Sequence, residues 1–255
     1  MGYDLNEKHE FTLGYQLSTS RVFYQLFRDQ SGIEDIEPED EDPEEVDSSQ
    51  DDRDFNEIST RSNTSNTLYG DYSLRTKIRV LIRLGIRASN YSILEEWFWE
   101  PRLNVEYPVA RFFRLKFTGE KRYQAFSQLV EFEDTQSRLE SGIWTLTDNN
   151  DFPLLESEQF SGGVLIDFSG WTFDLDAYVK KIDGLTSFTN GFTSASEDYS
   201  RGSSDILGLD FLLKKQLGNY RIWMGYTYNT VEYQFSELAD SKFPGNNDIT
   251  HNLTL

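Results

Sequence analysis

Hydrophobic and polar residues alternate with a period of two along much of the chain. Between residues 77 and 87 every even position is aliphatic, and four of the six odd positions are Lys or Arg. A helix would scatter those bases around its circumference, whereas a strand places them all on one face. The alternation returns with the opposite phase from Trp97 to Tyr107, and again in the segments 10–17, 113–118 and 171–180. The pattern predicts an all-β chain with one apolar face and one strongly polar face.

The alternating segments and the breaks between them predict eleven strands. We place the strands at 7–17, 20–28, 65–75, 77–89, 96–107, 111–121, 158–168, 171–182, 204–215, 219–234 and 248–255. Short connections then lie at 18–19, 75–76, 108–110, 169–170 and 218, and long ones at 29–64, 90–95, 122–157, 183–203 and 235–247. Antiparallel strands joined in this way bring every tight turn to one end of the sheet and every long loop to the other.

A soluble sandwich and a membrane barrel both contain alternating strands, but the two faces of the sheet contact different surroundings in each. A soluble sheet buries its apolar face in a core. Here the other face mixes Arg, Lys, Asp and Glu, which can pair across strands in a water-filled or plugged lumen. The apolar face would then meet lipid, and aromatic residues near strand ends, such as Trp97, Trp99 and Trp171, suit interfacial girdles. Because the short connections also lie at one end of the sheet and the long ones at the other, we favour an antiparallel up-and-down transmembrane β-barrel.

The charge of the chain at first indicates a soluble acidic protein. The 24 Lys and Arg oppose 44 Asp and Glu, which gives a net charge of −20, and the mean hydropathy is −0.60. Residues 34–57 alone contain 14 acids and one base, Arg53. This density of like charge predicts a solvated acidic loop within 29–64, and cation binding is the alternative, although the block lacks the Gly-bearing spacing of an EF-hand. A polar average also results when half of each barrel strand faces water.

Composition and motifs exclude several other classes. No apolar run exceeds three residues, whereas a transmembrane helix needs about 20. Without a basic stripe we expect no nucleic-acid partner. Cys is absent, and no nucleotide-binding or Gly-x-Ser-x-Gly motif occurs, so we expect no enzyme, no cofactor and no metal site. Asp174 and Asp176 share a face and could mimic a glycosidase pair, but we favour ion pairing with Lys180 or with a base on a neighbouring strand.

The C-terminal third of the chain carries a family resemblance. The stretches KKIDGLTSFTNGF at 180–192 and GSSDILGLDFLLKK at 202–215 resemble TonB-dependent outer-membrane receptors, particularly those of Bacteroidetes-type bacteria. The similarity continues in NYRIW at 219–223, YTY at 226–228, FP at 243–244 and NDITH at 247–251. Upstream, GIR at 85–87 and EPR at 100–102 look like a pair of mid-barrel strands of this family. At the level of strand pattern, the resemblance covers essentially the whole chain.

The resemblance implies a 22-stranded barrel around an N-terminal plug, in the bacterial cell outer membrane. The implied partners are outer-membrane lipid and the inner-membrane TonB complex, which supplies energy through the plug. We recognise no plug-like segment, energy-coupling peptide or signal peptide in this sequence, and an odd number of strands does not close a bacterial single-chain barrel. We therefore expect residues 1–255 to be a fragment of about half of a receptor barrel, with Met1 as an arbitrary start.

The implied ligand is a scarce nutrient, and we expect a ferric chelate of the siderophore type, with cobalamin or an oligosaccharide as alternatives. Loops carry binding residues more often than strands do, so the loop 122–157 is the first place to look. Its candidate residues are Arg122, Tyr123, Gln124 and Trp144, and Arg201 is a further candidate. Alternatively, Tyr123 belongs to an aromatic rim and Trp144 packs within the loop. A passive porin-like barrel and a secreted all-β carbohydrate-binding module are the alternative functions.

Overall fold

The computed structural model describes residues 2–6, 8–27, 56–130, 144–148, 150–188, 199–245 and 249–255. All regular secondary structure within these residues is β-strand, which confirms the predicted class. The strands are β1 (Gly2–Asn6), β2 (His9–Phe27), β3 (Asn56–Arg75), β4 (Leu81–Tyr91), β5 (Trp97–Pro108), β6 (Phe113–Gln124), β7 (Phe126–Gln128), β8 (Trp144–Leu146), β9 (Leu155–Phe168), β10 (Trp171–Phe188), β11 (Tyr199–Leu217), β12 (Tyr220–Phe235), β13 (Phe243–Pro244) and β14 (His251–Thr254). Among these residues, no helix could cross a membrane.

Twelve strands form one antiparallel sheet in the order β1-β2-β3-β4-β5-β6-β9-β10-β11-β12-β13, and β14 also pairs with β12. Because β13 and β14 occupy different stretches of the same edge of β12, the described strands fill eleven positions. Their order follows the chain except where the β7–β8 hairpin is inserted between β6 and β9. In the described part of the chain β1 does not pair with β13 or β14, so the strands form an open, partial up-and-down barrel.

Tight turns lie at one end of the sheet, as the sequence predicts. They fall at 76–80, 109–112, 169–170 and 218–219, and the first strand turns back near Lys8. In the turn between β9 and β10, Ser169 and Gly170 both have positive φ angles, of 51° and 76°. Two such residues form the type I′ turn, whose twist matches that of the flanking strands. The longer connections lie at the opposite end, although the one at 92–96 is itself short.

Two predicted boundaries near the start of the chain are wrong. The segments 7–17 and 20–28 belong to one strand, β2, which continues through the predicted turn at 18–19 while Ser18 and Thr19 pair with β3. Neither residue readily adopts the positive φ of a hairpin turn, and β-branched Thr favours a strand. The tight turn instead follows β1, a strand that the sequence did not predict.

Strand residues also lie within predicted loops. The strands β10 and β11 extend into 183–203, and β13 lies within 235–247. β3 begins at Asn56 rather than near residue 65, and it pairs with β2 over the full length of β2. The loop 122–157 contains the β7–β8 hairpin, because a long insertion can satisfy its own backbone by pairing with itself. Most of the acidic block at 34–57 lies outside the described residues.

The register of the sheet gathers the apolar positions onto one face. Leu84, Leu103, Gly119, Phe160 and Val179 form one continuous cross-strand row on five successive strands. Three large side chains of this row remain accessible, with 48% of Leu84, 54% of Phe160 and 51% of Val179 exposed. The apolar residues that are buried lie mainly toward the long-loop end. A face of large, accessible apolar side chains is what a barrel presents to lipid.

Candidate functional site

Charged side chains on the opposite face pair with one another across the strands. The Arg102 guanidinium makes a bidentate contact with the Asp71 carboxylate, with Nη2–oxygen distances of 2.5 and 2.6 Å. Glu106 accepts hydrogen bonds from Arg83 at 3.0 Å and from Arg114 at 3.2 Å, so that it joins two strands. Charge pairs of this kind on one sheet face are expected in an aqueous lumen.

A glycine allows one of these pairs to reach across an intervening strand. Lys116 of β6 donates to Asp174 at 2.5 Å and to Asp176 at 2.6 Å, both on β10. The intervening strand β9 places Gly163 between Lys116 and Asp176 in register. Since glycine has no Cβ, the Asp176 carboxylate occupies the space over Gly163 and meets Lys116 there. The predicted ion pairing of these aspartates is confirmed, and the base comes from a strand two positions away rather than from Lys180.

The same arrangement recurs along the polar face. Gly85 lies in register between Asp71 and Arg102, and a Cβ there would overlap both of their side chains. The ring of Tyr69 covers Gly14, and the ring of Tyr178 covers Gly208. Four inward glycines therefore accept a charged or aromatic side chain from a neighbouring strand. The inner wall is made of interlocking side chains rather than of isolated charges.

These pairs border a cavity of about 520 Å³ on the polar face. Its lining includes Asp71, Arg83, Arg102, Asn104, Glu120 and Gln159. Acids, bases and amides alternate around it, so it offers hydrogen-bond donors and acceptors within a few ångströms of each other. Such a lining suits water and polar solutes.

A salt bridge attaches the segment after β8 to the polar face of β3. Arg61 Nη1 lies 2.5 Å from Asp148 Oδ2, and its guanidinium lies 5.5 Å from the ring centre of Phe152. The other carboxylate oxygen of Asp148 accepts hydrogen bonds from the amides of Asn150 and Phe152, each at 2.9 Å. β8 itself also lies against β2 and β3. The inserted hairpin thus crosses the polar face at the long-loop end.

The surroundings of Asp148 shift its acidity. Burial alone would raise the pKa of this carboxyl group, but the hydrogen bond from the Phe152 amide and the contacts with Arg61 outweigh it and lower the pKa. The sequence did not predict this anchor, because Arg61 and Asp148 lie 87 positions apart and no local pattern connects them.

Four of the five predicted ligand-binding residues lie on β6 and β8 at this end. Arg122 is exposed on the polar face and donates to Glu120 at 2.8 Å. Gln124, at the end of β6, donates to the carbonyl of Phe126 at 2.6 Å. Trp144 of β8 is 48% exposed, and its ring centre lies 5.9 Å from that of Phe126.

The remaining two candidates differ in their surroundings. Tyr123 is partly buried, with its ring centre 5.0 Å from that of Phe98 and the Lys121 ammonium 5.3 Å from it. Packing on both sides makes it less available to a ligand than Trp144 is. Arg201 of β11 is exposed and pairs in register with Thr186 of β10, at the same end of the sheet. Binding of a ligand by these five residues stays a prediction.

Comparison with solved structures identifies chains with the same fold. The siderophore receptor PirA from Acinetobacter baumannii is 14% identical, with a TM-score of 0.54 over 92% of this chain and 38% of that chain. PirA from Pseudomonas aeruginosa is 12% identical, with a TM-score of 0.53 over 88% of this chain and 48% of that chain. The RagAB peptide importer in its closed-closed state is 13% identical, with a TM-score of 0.53 over 92% of this chain and 29% of that chain.

The chain shares their barrel fold. It spans less than half the length of each of these solved chains. No protein-family model matches the sequence. No curated protein matches it either. At identities of 12–14% the likeness concerns architecture alone, and it agrees with the partial barrel that the strand register defines.

Proposed function

We propose that residues 1–255 form about half of the barrel of a TonB-dependent nutrient receptor in a bacterial outer membrane. The observation that carries this proposal is the division of one sheet into an exposed apolar face and a charge-paired polar face. Such a wall separates lipid from an aqueous lumen. The family resemblance of the sequence and the names of the structural neighbours, which are receptors and importers, support transport rather than catalysis. The plug and its TonB contact would belong to parts of the receptor beyond these residues.

A ferric chelate of the siderophore type is the substrate that we propose. Exposed Trp144 offers a flat aromatic surface, and Arg122 offers a cation at the same end of the polar face. Together these groups suit an anionic chelate with aromatic arms, through stacking and charge-assisted hydrogen bonds. Two of the structural neighbours are named as siderophore receptors, which supports this substrate class. Because another neighbour is a peptide importer, uptake of a labelled peptide is measured beside that of the siderophore and the oligosaccharide.

Lipid dependence tests the membrane barrel. We expect the chain to keep its strand content, measured by circular dichroism, only in detergent or lipid vesicles, and to aggregate when it is moved into plain buffer. A soluble, monomeric and folded chain in plain buffer would contradict the barrel and favour the carbohydrate-binding module.

Uptake by cells that carry the complete gene tests the substrate. We expect deletion of the gene to abolish uptake of a radiolabelled ferric siderophore, and Trp144→Ala to raise the half-saturating concentration about tenfold, as loss of a stacking contact predicts. Trp97→Ala, on the outer face of β5, is the matched control and should leave that concentration unchanged. Unchanged siderophore uptake in the deletion strain, with loss of labelled oligosaccharide uptake, would refute the iron assignment. Uptake that persists when TonB is absent would favour a passive porin.

A further inference from the structure

An apolar groove runs along the outer face of the sheet, where small residues replace large ones. Gly162 of β9 lies in register between Phe117 of β6 and Ala177 of β10. A Cβ built on Gly162 meets no atom within 4 Å, so the groove is open at this point. The groove has a volume of about 490 Å³. Its apolar lining includes Tyr107, Leu115, Phe117, Gly162, Val164 and Ala177.

A positively charged side chain lies at the tight-turn end of the same face. Lys215 of β11 pairs in register with Trp171 of β10, and its ammonium lies 4.6 Å from the centre of the indole ring. The ammonium donates one hydrogen bond, at 2.9 Å, to the carbonyl of Ser169. A lysine has three N–H donors, so two are available to a ligand at this position. The indole and the ammonium together form an amphipathic end to the outer face.

The neighbouring turn adds a second cation and more exposed apolar surface. Arg111 is exposed in the turn between β5 and β6. The next residue, Phe112, packs against Phe168, with ring centres 6.2 Å apart, so this turn and the β9–β10 turn adjoin. Asp167 is the acid nearest to them in sequence, but it accepts a hydrogen bond from Thr172 on the polar face. This rim therefore combines bases with accessible aromatic rings.

The groove and the cation are separated by a distance that one lipid molecule covers. Ala177 follows Trp171 by six positions on β10, and a rise of about 3.3 Å per residue makes this about 20 Å along the strand. A phospholipid places a phosphate at one end of an acyl chain of comparable length. Bases at the rim complement an anionic headgroup, whereas the ammonium of a zwitterionic headgroup would face like charges.

We propose that the outer face carries a binding site for one anionic phospholipid. The phosphate contacts Lys215 beside Trp171, Arg111 adds positive charge from the β5–β6 turn at the same end of the sheet, and an acyl chain occupies the groove over Gly162. This inference rests on the proposed membrane location of the barrel. The site is distinct from the ligand-binding residues of the polar face, since it lies on the other side of the sheet and at the other end of the strands.

Quenching of tryptophan fluorescence by brominated lipids tests the site. The receptor that contains these residues is refolded into vesicles, with every tryptophan except Trp171 replaced by Phe, so that Trp171 is the reporter. Trp171 quenching is compared for brominated phosphatidylglycerol and brominated phosphatidylcholine, each diluted into unbrominated phosphatidylcholine. We expect phosphatidylglycerol to bind at Trp171 about fivefold more tightly at low salt, and this preference to shrink at about 0.5 M salt.

Three variants separate the parts of the site. Lys215→Gln should lower the preference for phosphatidylglycerol about fivefold, and Arg111→Gln should lower it in the same direction while leaving the strands untouched. Gly162→Leu fills the groove and should reduce quenching by both brominated lipids. Lys181→Gln removes a base from the outer face at the opposite end of the sheet, beside Asp183 at 3.1 Å, and should change nothing.

The outcomes distinguish this site from the membrane barrel itself. Equal quenching of Trp171 by both lipids, with no response to Lys215→Gln or Arg111→Gln, would overturn the lipid site and leave the barrel intact. If Lys181→Gln lowers the preference for phosphatidylglycerol as much as Lys215→Gln does, the lipid site is also overturned, because the overall surface charge would then explain the effect. Absence of quenching by either lipid would contradict the membrane location on which the site depends.

Discussion

Replacing Gly163 by Ala should destabilise the sheet, whereas the same change at its neighbour Gly162 should not. The two glycines are consecutive in β9, so their side-chain positions point to opposite faces. A Cβ on Gly163 would overlap the Asp176 carboxylate and lie 2.5 Å from the carbonyl oxygen of Leu175. A Cβ on Gly162 would meet no atom within 4 Å. Both substitutions therefore change the strand propensity of β9 by nearly the same amount, and they differ in the packing around the new Cβ.

The structure gives the size of each effect. Relief of the overlap at position 163 must move backbone as well as a side chain, which typically costs about 1–3 kcal/mol in a packed site. Displacement of Asp176 from Lys116 adds up to about 1 kcal/mol, since both side chains are partly accessible. Gly162→Ala instead removes backbone freedom from the unfolded chain and should stabilise the protein by about 0.5–1 kcal/mol. The two variants should differ by about 3 kcal/mol.

The assay is reversible urea unfolding, in lipid vesicles, of the receptor that contains these residues. Unfolding is followed by tryptophan fluorescence, and the free energies of unfolding of both variants are compared with that of the unsubstituted receptor. Lys116→Met in each background completes a double-mutant cycle. If the Gly163→Ala substitution acts by displacing Asp176 from Lys116, the cost of Lys116→Met should be smaller in the Gly163→Ala background. Equal free energies for Gly162→Ala and Gly163→Ala would refute the register of β6, β9 and β10 on which the reasoning depends.

Three further predictions concern the hairpin anchor and the inner wall. Arg61→Met should release the segment after β8, so we expect protease cleavage of that segment to accelerate about tenfold while the sheet remains folded. The pKa of Asp148 is lowered in the folded state. The stabilising contribution of its carboxylate is therefore complete above the ordinary pKa of 3.8 and is lost as the pH falls through the lower pKa of the folded state. The fluorescence emission of Trp144 should accordingly stay constant from about pH 7 to pH 5 and change only in stronger acid. Gly208→Ala should displace the Tyr178 ring that covers it and destabilise the sheet by about 1–3 kcal/mol, measured by the same urea titration; an unchanged stability would show that the ring does not lie there.

Strand periodicity made much of this fold predictable. The two-residue alternation of β4, β5 and β10 identifies the strands and assigns each residue to a face, because successive side chains of a strand point to opposite sides. The alternation fails where both faces of a long strand are polar. Thr19 in β2 and Asn56 at the start of β3 lie in such stretches, and the sequence there resembles a turn or a loop. Pairing with a neighbouring strand, which no local pattern reports, makes them part of the sheet.

The sequence by itself thus determined an all-β chain with an apolar and a charged face, and it located candidate ligand residues such as Trp144 at the long-loop end. Only the tertiary structure decided which charges pair. Lys116 meets Asp176 across β9 because Gly163 leaves the space between them, and Arg61 meets Asp148 because the inserted hairpin crosses the polar face. Such contacts depend on strand order and register, which are properties of the whole sheet, whereas alternation depends only on the geometry of a single strand.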